Sequence, residues 1–227
     1  MLTFRVLSAL LSYPTPELKA GAGQAEQILR TEGMLAGEHL TAVCAFVNKL
    51  RAMPQLEAEA SYIEAFDRGR STSLYLFEHI HGESRDRGQA MVRLLARYRM
   101  HGLDPSTKEL PDFLPLFLEF LSTCRADEAR KYCSEVVDIV AMIGERLQQR
   151  GAMHACLLEA TASLVPGSGA GKARGRSEKL DRDDTPAALD AAWEEAPVTF
   201  DDATLNGTQS RLDAADRGRR TGNLDRS

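Results

Sequence analysis

The sequence predicts an all-α protein: a single multi-helix bundle over residues 1–165, followed by a largely disordered tail over 166–227. Three observations carry this. Apolar residues recur at three- and four-residue spacing from position 3 to about position 165, the period of one helix face. No segment alternates apolar and polar residues as a half-buried strand does. At Pro166 the composition turns abruptly to glycine, serine and charge. A chain of 227 residues suits one helical domain with an extension.

Leu7, Leu10 and Leu11 form one face of a first helix, ended by Tyr13-Pro14. Thr15 caps a second helix with Pro16 at its first position, where a missing N–H costs nothing. Leu40, Val43, Cys44, Val47 and Leu50 make a third stripe, stopped by Pro54. Ala60, Ile63 and Phe66 make a fourth, closed by Gly69 in the place of a left-handed residue. A short helix is expected from near Ser73 to Gly82, then another capped by Ser84 and carrying Met91, Leu94, Leu95 and Tyr98 as far as His101-Gly102. In ELPDFLPLFLEFL, Asp112 is placed as a cap with Pro115 in the first turn. The residues that follow are apolar almost all round, so this helix belongs at the bundle centre. Val136, Val137, Ile139, Val140, Ile143 and Leu147 line a long helix over 126–150, and Met153–Leu164 supplies the last.

The tail opens with PGSGAGKARGRSEKLDRDDTP, too poor in apolar groups to offset its ordering entropy. Its GSGAGK run is no phosphate loop: the Gly167 to Gly171 spacing is one residue short, Ala173 stands where the magnesium-binding hydroxyl belongs, and no strand precedes it. A short amphipathic segment near 187–200 holds the single tryptophan, Trp193, with Leu189, Val198 and Phe200. Such a segment either docks, on its own domain or on a partner, or is a stray apolar cluster; where it docks on its own domain, tethering gives it an effective concentration in roughly the millimolar range.

A net charge of −5 argues against nucleic acid as partner, since phosphate binding needs a basic face. Cys44, Cys124, Cys133 and Cys156 show no metal-ligand or redox spacing and read as small buried hydrophobes in a reducing compartment. No run approaches the ~18 apolar residues of a membrane span. The first helix lacks the basic leader and cleavage pattern of a signal peptide, so a cytoplasmic protein without stable membrane association is expected.

The most unusual stretch is FDRGRSTSLYLFEHIHGESRDRGQAM, residues 66–91, with four arginines and two histidines among carboxylates. On a helix His79 and His81 point about 200° apart and cannot reach one ion; His81 falls on the apolar side, His79 on the polar side. No serine or cysteine pairs with a histidine and carboxylate as an activated nucleophile, and the arginines should keep the carboxylates ionised. An enzyme using His79, Glu83 or the glycine run is therefore disfavoured. Arg85 and Arg87 oppose the dipole of the helix they begin by roughly 0.3 to 1 kcal/mol each, so Asp67, Glu78 or Glu83 should compensate them.

The runs YIEAFDRGRSTSLYLFEHIHGESRDRGQAM (62–91) and ELPDFLPLFLEFL (109–121) resemble the assembly chaperone of respiratory nitrate reductase, the delta subunit, in the redox-enzyme maturation protein family. The likeness spans roughly residues 3–165, and AAWEEAPVTF is similar to the family's end. The resemblance implies an all-helical bundle of the redox-enzyme maturation chaperone type, with no cofactor and no catalysis of its own. It implies a cytoplasmic partner, the apo catalytic (alpha) subunit of nitrate reductase, alone or as an alpha-beta complex. The chaperone would bind that subunit's N-terminal segment, assist insertion of the molybdenum guanine dinucleotide cofactor and delay membrane attachment. A permanent structural subunit of an oxidoreductase complex is the alternative. One departure is visible: wider relatives often carry His after the Pro-Asp pair, where this chain has Phe113, so that histidine's role does not transfer. The expected client groove is lined by Phe66, Leu74, Tyr75 and Phe77, with Glu78, Arg85, Asp86 and Asp112 on its polar rim. Each fully buried apolar anchor of a client helix would contribute ~1.5 to 3 kcal/mol.

Overall fold

The structure is a computed structural model that describes residues 1–81, 85–105 and 109–165 together with positions 183, 185, 188 and 190; of His81 and Arg85 it describes the backbone. Among the described residues ten α-helices follow in order: α1 Leu2–Leu10, α2 Pro16–Gly21, α3 Gly23–Glu32, α4 Gly37–Ala52, α5 Gln55–Phe66, α6 Leu76–His81, α7 Arg85–Met100, α8 Leu114–Thr123, α9 Ala126–Gln149 and α10 Ala155–Ser163. A 3-10 turn at Arg70–Thr72 precedes α6. Among the described residues the strand-like pairing is one isolated antiparallel bridge between Tyr75 and Phe113. The fold is all-α, as the periodicity predicts.

The apolar helix α8 sits at the centre, with Leu114, Phe117, Leu118, Phe120 and Leu121 buried. The Phe120 ring packs against Tyr98 of α7 at 4.8 Å, His101 at 5.2 Å and Tyr132 of α9 at 5.5 Å. Helix α1 runs antiparallel beside α8: the Met1 amino group donates to the Ser122 carbonyl at 2.8 Å, and Ser8 Oγ donates to the Pro115 carbonyl at 2.7 Å. Phe4, Leu7, Leu10 and Leu11 fill the seam. The short connection after Gln149 brings α10 back onto α9. There the backbones approach closely, because a Cβ on Gly144 would lie 3.1 Å from Leu158 Cβ.

Several expectations change in detail. The predicted second helix is two, α2 and α3, meeting at Ala22; Thr15 does cap the first, its hydroxyl accepting from the Leu18 amide. In α5 the buried face is Ala58, Tyr62, Ala65 and Phe66, whereas Ala60 and Ile63 face solvent. Tyr62 decides that rotation: its hydroxyl donates to the Leu11 carbonyl at 3.2 Å and its ring packs on Phe66 at 5.0 Å. Gly69 is extended, φ −156°, and is not a left-handed helix end. Helix α6 starts at Leu76 rather than near Ser73, because Leu74–Leu76 is used in the bridge to Phe113. The placement of Gly82 and Ser84 as helix boundaries, the GSGAGK run and the Trp193 segment lie outside the described residues.

The closure of α4, α5 and α10 rests on a residue that periodicity does not single out. His154 is 3% exposed and ringed by Phe46, Tyr62 and Phe66 at 5.2, 6.1 and 5.1 Å. Burial first, then the nearby Lys49 charge, pushes its imidazole down to about 4. The neutral ring is thus part of the core. Its folded pKa lies below the unfolded value of roughly 6.5, so the stability it confers is complete above that value and is lost as pH falls towards about 4. Urea unfolding of the parent and a His154→Leu variant between pH 7 and 4 should show the variant gaining up to about 3 kcal/mol relative to the parent on acidification.

Candidate functional site

The two unusual runs of the sequence are joined to each other. Leu76 N donates to the Asp112 carbonyl at 3.0 Å and Leu114 N donates to the Leu74 carbonyl at 2.8 Å, closing the bridge around Tyr75 and Phe113. The pairing lays the Asp112 side chain over the first turn of α6, where Oδ2 accepts from the Phe77 amide at 3.0 Å. Asp112 therefore caps α6, from 35 residues away, and not the helix that follows it. The N-cap of α8 is Phe113. That helix needs less help, since Leu114 N is already bonded to Leu74 and Pro115 has no N–H to satisfy.

Asp112 is wholly buried. Arg87 Nη2 stands 3.9 Å from Asp112 Oδ2 and 3.4 Å from Glu78 Oε1, so Glu78 is one compensating partner the sequence anticipates and Asp112 is one it does not. Among the described residues the buried Asp112 Oδ1 and Arg87 Nε find no hydrogen-bond partner. Burial raises the Asp112 carboxyl above its ordinary range; the Phe77 amide and the Arg87 charge oppose this and do not overcome it. Asp67 is raised as well, by burial. At Asp112 desolvation thus outweighs the Arg87 charge.

Above the cap lies an aromatic pair. Tyr75 packs on Phe113 with centroids 5.3 Å apart, and its hydroxyl donates to Glu109 Oε2 at 3.1 Å. Burial, then Glu109, pushes the Tyr75 phenol up to about 12. Phe77 and Glu78 are half-buried beside this pair on α6, and His79 Nε2 donates to the Ser73 carbonyl at 2.9 Å, fixing the chain that enters the bridge. His79 is held below its ordinary value chiefly by burial. No cluster of metal-ligating side chains occurs among the described residues.

Of the expected groove residues, Tyr75, Phe77, Glu78 and Asp112 come together. Leu74 is buried beneath them. Phe66 is buried elsewhere, against Tyr62 and His154. Asp86 is exposed on the first turn of α7, and of Arg85 the backbone alone is described. Sequence reasoning missed Phe113 and Glu109. The signal for Phe113 was present, because Leu-Pro-Asp-Phe before a proline-started helix reads as extended chain.

The nitrate reductase delta subunit family model matches residues 32–155. The chain belongs to that family. Among relatives, the nitrate reductase molybdenum cofactor assembly chaperone NarJ of Escherichia coli (strain K12) is 43% identical over 201 residues, covering 88% of this chain and 85% of its own. The probable nitrate reductase molybdenum cofactor assembly chaperone NarW of the same organism is 41% identical over 93% of both chains. The Bacillus subtilis (strain 168) protein named probable NarJ is 31% identical over 74% of this chain and 90% of its own. The delta subunit match covers the whole Asp112 cradle, from α5 through α8. The relatives' names describe assembly chaperones, and the family is not catalytic.

The cap makes a stability prediction. Asp112→Ala removes the acceptor that meets the Phe77 amide and should cost about 1 to 2 kcal/mol in urea unfolding, whereas Asp112→Asn keeps an acceptor and should cost clearly less. Because the folded state holds the Asp112 proton more tightly than the unfolded chain does, the parent should gain on Asp112→Asn as pH falls through the carboxyl's titration.

Proposed function

We propose that the chain is a system-specific cytoplasmic chaperone for the apo catalytic subunit of respiratory nitrate reductase. It binds that subunit's N-terminal segment, alone or with the beta subunit present, enables insertion of the molybdenum guanine dinucleotide cofactor and delays membrane attachment until maturation. The observation that carries this reading is the likeness over 88% of the chain to a protein named for that assembly role. No helix among the described residues is long and apolar enough to cross a membrane, which accords with a chaperone that meets its client before membrane attachment.

The bridge region suits the task. Tyr75 and Phe77 offer part-exposed aromatic faces on a backbone fixed by hydrogen bonds, and Phe113 extends them. Leu74 lies buried under this face and Glu78 and Asp86 supply rim charges; the wholly buried Asp112 fixes the backbone beneath, and Phe66 packs elsewhere. A short amphipathic client helix would place two to four apolar anchors here. After ordering and rotational costs, micromolar binding, about −8 kcal/mol, is reasonable. The chaperone performs no bond-making; its contribution is to occupy the segment until the client is loaded.

Calorimetric titration with a peptide of the client's N-terminal segment tests the placement. Tyr75→Ala should weaken binding about tenfold or more, as loss of a central aromatic anchor does, and Asp86→Ala by a few-fold. Unchanged affinity in both folded variants would remove the groove from this face. Affinity purification from cells making the reductase subunits tests the function itself: retention of the unloaded catalytic subunit is expected, and stoichiometric recovery with mature enzyme would instead make the chain a permanent structural subunit.

A further inference from the structure

A second polar assembly stands just before the bridge, and it is occupied by the chain's own tail. The Asp183 carboxylate accepts from the Ser71 amide at 2.7 Å through Oδ2. Its Oδ1 accepts from Ser71 Oγ at 2.6 Å and from Arg150 Nη2 at 2.7 Å. Arg150 also donates to Thr72 Oγ1 at 3.0 Å and to Ser71 Oγ at 2.6 Å, and Arg146 Nη1 donates to the Ser71 carbonyl at 2.8 Å. Gly69 completes the seat: a Cβ there would lie 2.6 to 2.9 Å from the three carboxylate atoms. The absence of a side chain at Gly69 is therefore what admits the carboxylate.

An anion at this spot offsets a nearly buried positive charge. The Arg150 side chain is 8% exposed, and a nearly buried guanidinium is costly without a counter-charge. Arg146 lies alongside, its guanidinium held down by burial and by Arg150 and supported by Asp183. Partial burial alone would raise the Asp183 carboxyl, but the Ser71 bonds and the Arg150 charge hold it below its ordinary range. Yet Asp183 itself remains 35% exposed and arrives from outside the continuous helical domain. The receptor is thus more deeply built than its occupant.

We propose that the Gly69–Thr72 turn with Arg150 is an exchangeable carboxylate-binding site, filled in the free chain by Asp183 and taken over by an acidic side chain of a bound polypeptide. The takeover rests on the polypeptide-binding role proposed above; the site itself does not. Tyr75 follows Ser71 by four positions, at most about 14 Å of chain, so a segment laid on the aromatic pair is within a few residues of the turn. A tethered carboxylate competes at roughly millimolar effective concentration, which a client with its own anchors can exceed.

The Ser71 amide reports directly on occupancy, and its chemical shift and solvent exchange in full-length protein are the measurement. Asp183→Asn should raise Ser71 exchange at least tenfold while the helical amides of α8 and α9 stay protected. Gly69→Ala should do the same by steric denial, with every charge retained. Acetate should restore Ser71 protection in Asp183→Asn with a saturating dependence, and should fail in Gly69→Ala and in Arg150→Gln carrying Asp183→Asn. A short aspartyl peptide should restore it as acetate does, and its asparaginyl twin should not. Ser71 exchange unaltered in both Asp183→Asn and Gly69→Ala would overturn the site, and this result does not touch client binding at Tyr75. Restoration by inorganic phosphate but not by acetate would overturn the carboxylate assignment. If the client segment binds yet leaves Asp183 seated in the parent protein, the takeover is refuted.

Discussion

The hydrogen bond from the Phe77 amide to the buried Asp112 carboxylate is the constraint around which this part of the molecule is arranged. A six-residue helix such as α6 is too short to be stable alone. Its first turn exposes N–H groups that need acceptors, and the chain supplies one from beyond the whole of α7. Once Asp112 is so placed, Tyr75 and Phe113 must face each other, Leu74 must lie beneath, and Arg87 must stand near the carboxylate. The aromatic surface proposed for the client is a by-product of capping a helix from a distance.

The same device recurs with different electrostatic outcomes. Glu32, at the end of α3, accepts from the Leu2 and Thr3 amides and so caps α1. Partial burial would raise that carboxyl, but the amides and the terminal amino group bring it below its ordinary value. Asp183 behaves likewise on the Ser71 turn. Asp112 differs because it is wholly buried, receives fewer donors and meets Arg87 at the longer distance of 3.9 Å. Hydrogen-bond count against desolvation, not residue type, decides whether such a carboxylate strengthens or weakens with acid.

The helical class and the central position of α8 were legible in the sequence because each is a one-dimensional pattern of apolar spacing, whereas of the four cysteines expected to be buried Cys44, Cys124 and Cys133 are and Cys156 is half-buried. The rotation of α5 was not legible, since a tyrosine satisfied by the Leu11 carbonyl buries better than Ile63, and that carbonyl is 51 residues away. The cap role of Asp112 was misassigned for a related reason: local rules look forward to the next helix, while the bridge turns the side chain back towards α6. Tyr75, Phe77, Glu78 and Asp112 were nevertheless singled out together, because the runs that contain them are peculiar in composition. His154 and Asp183 gave no signal, as a lone histidine and one aspartate among several acquire meaning from neighbours far along the chain.

The pairing of Leu74–Leu76 with Asp112–Leu114 also bears on how such chains tolerate insertion and deletion. Lengthening the connection between α7 and α8 costs little, because closure entropy grows with the logarithm of loop length. A one-residue change inside either paired triplet is another matter: it would reverse which side chains face inward, sending Tyr75 or Phe113 to the opposite side and withdrawing Asp112 from its amide. Length drift among related chains should therefore collect around Leu103–Leu110, leaving the two triplets as fixed points of an alignment.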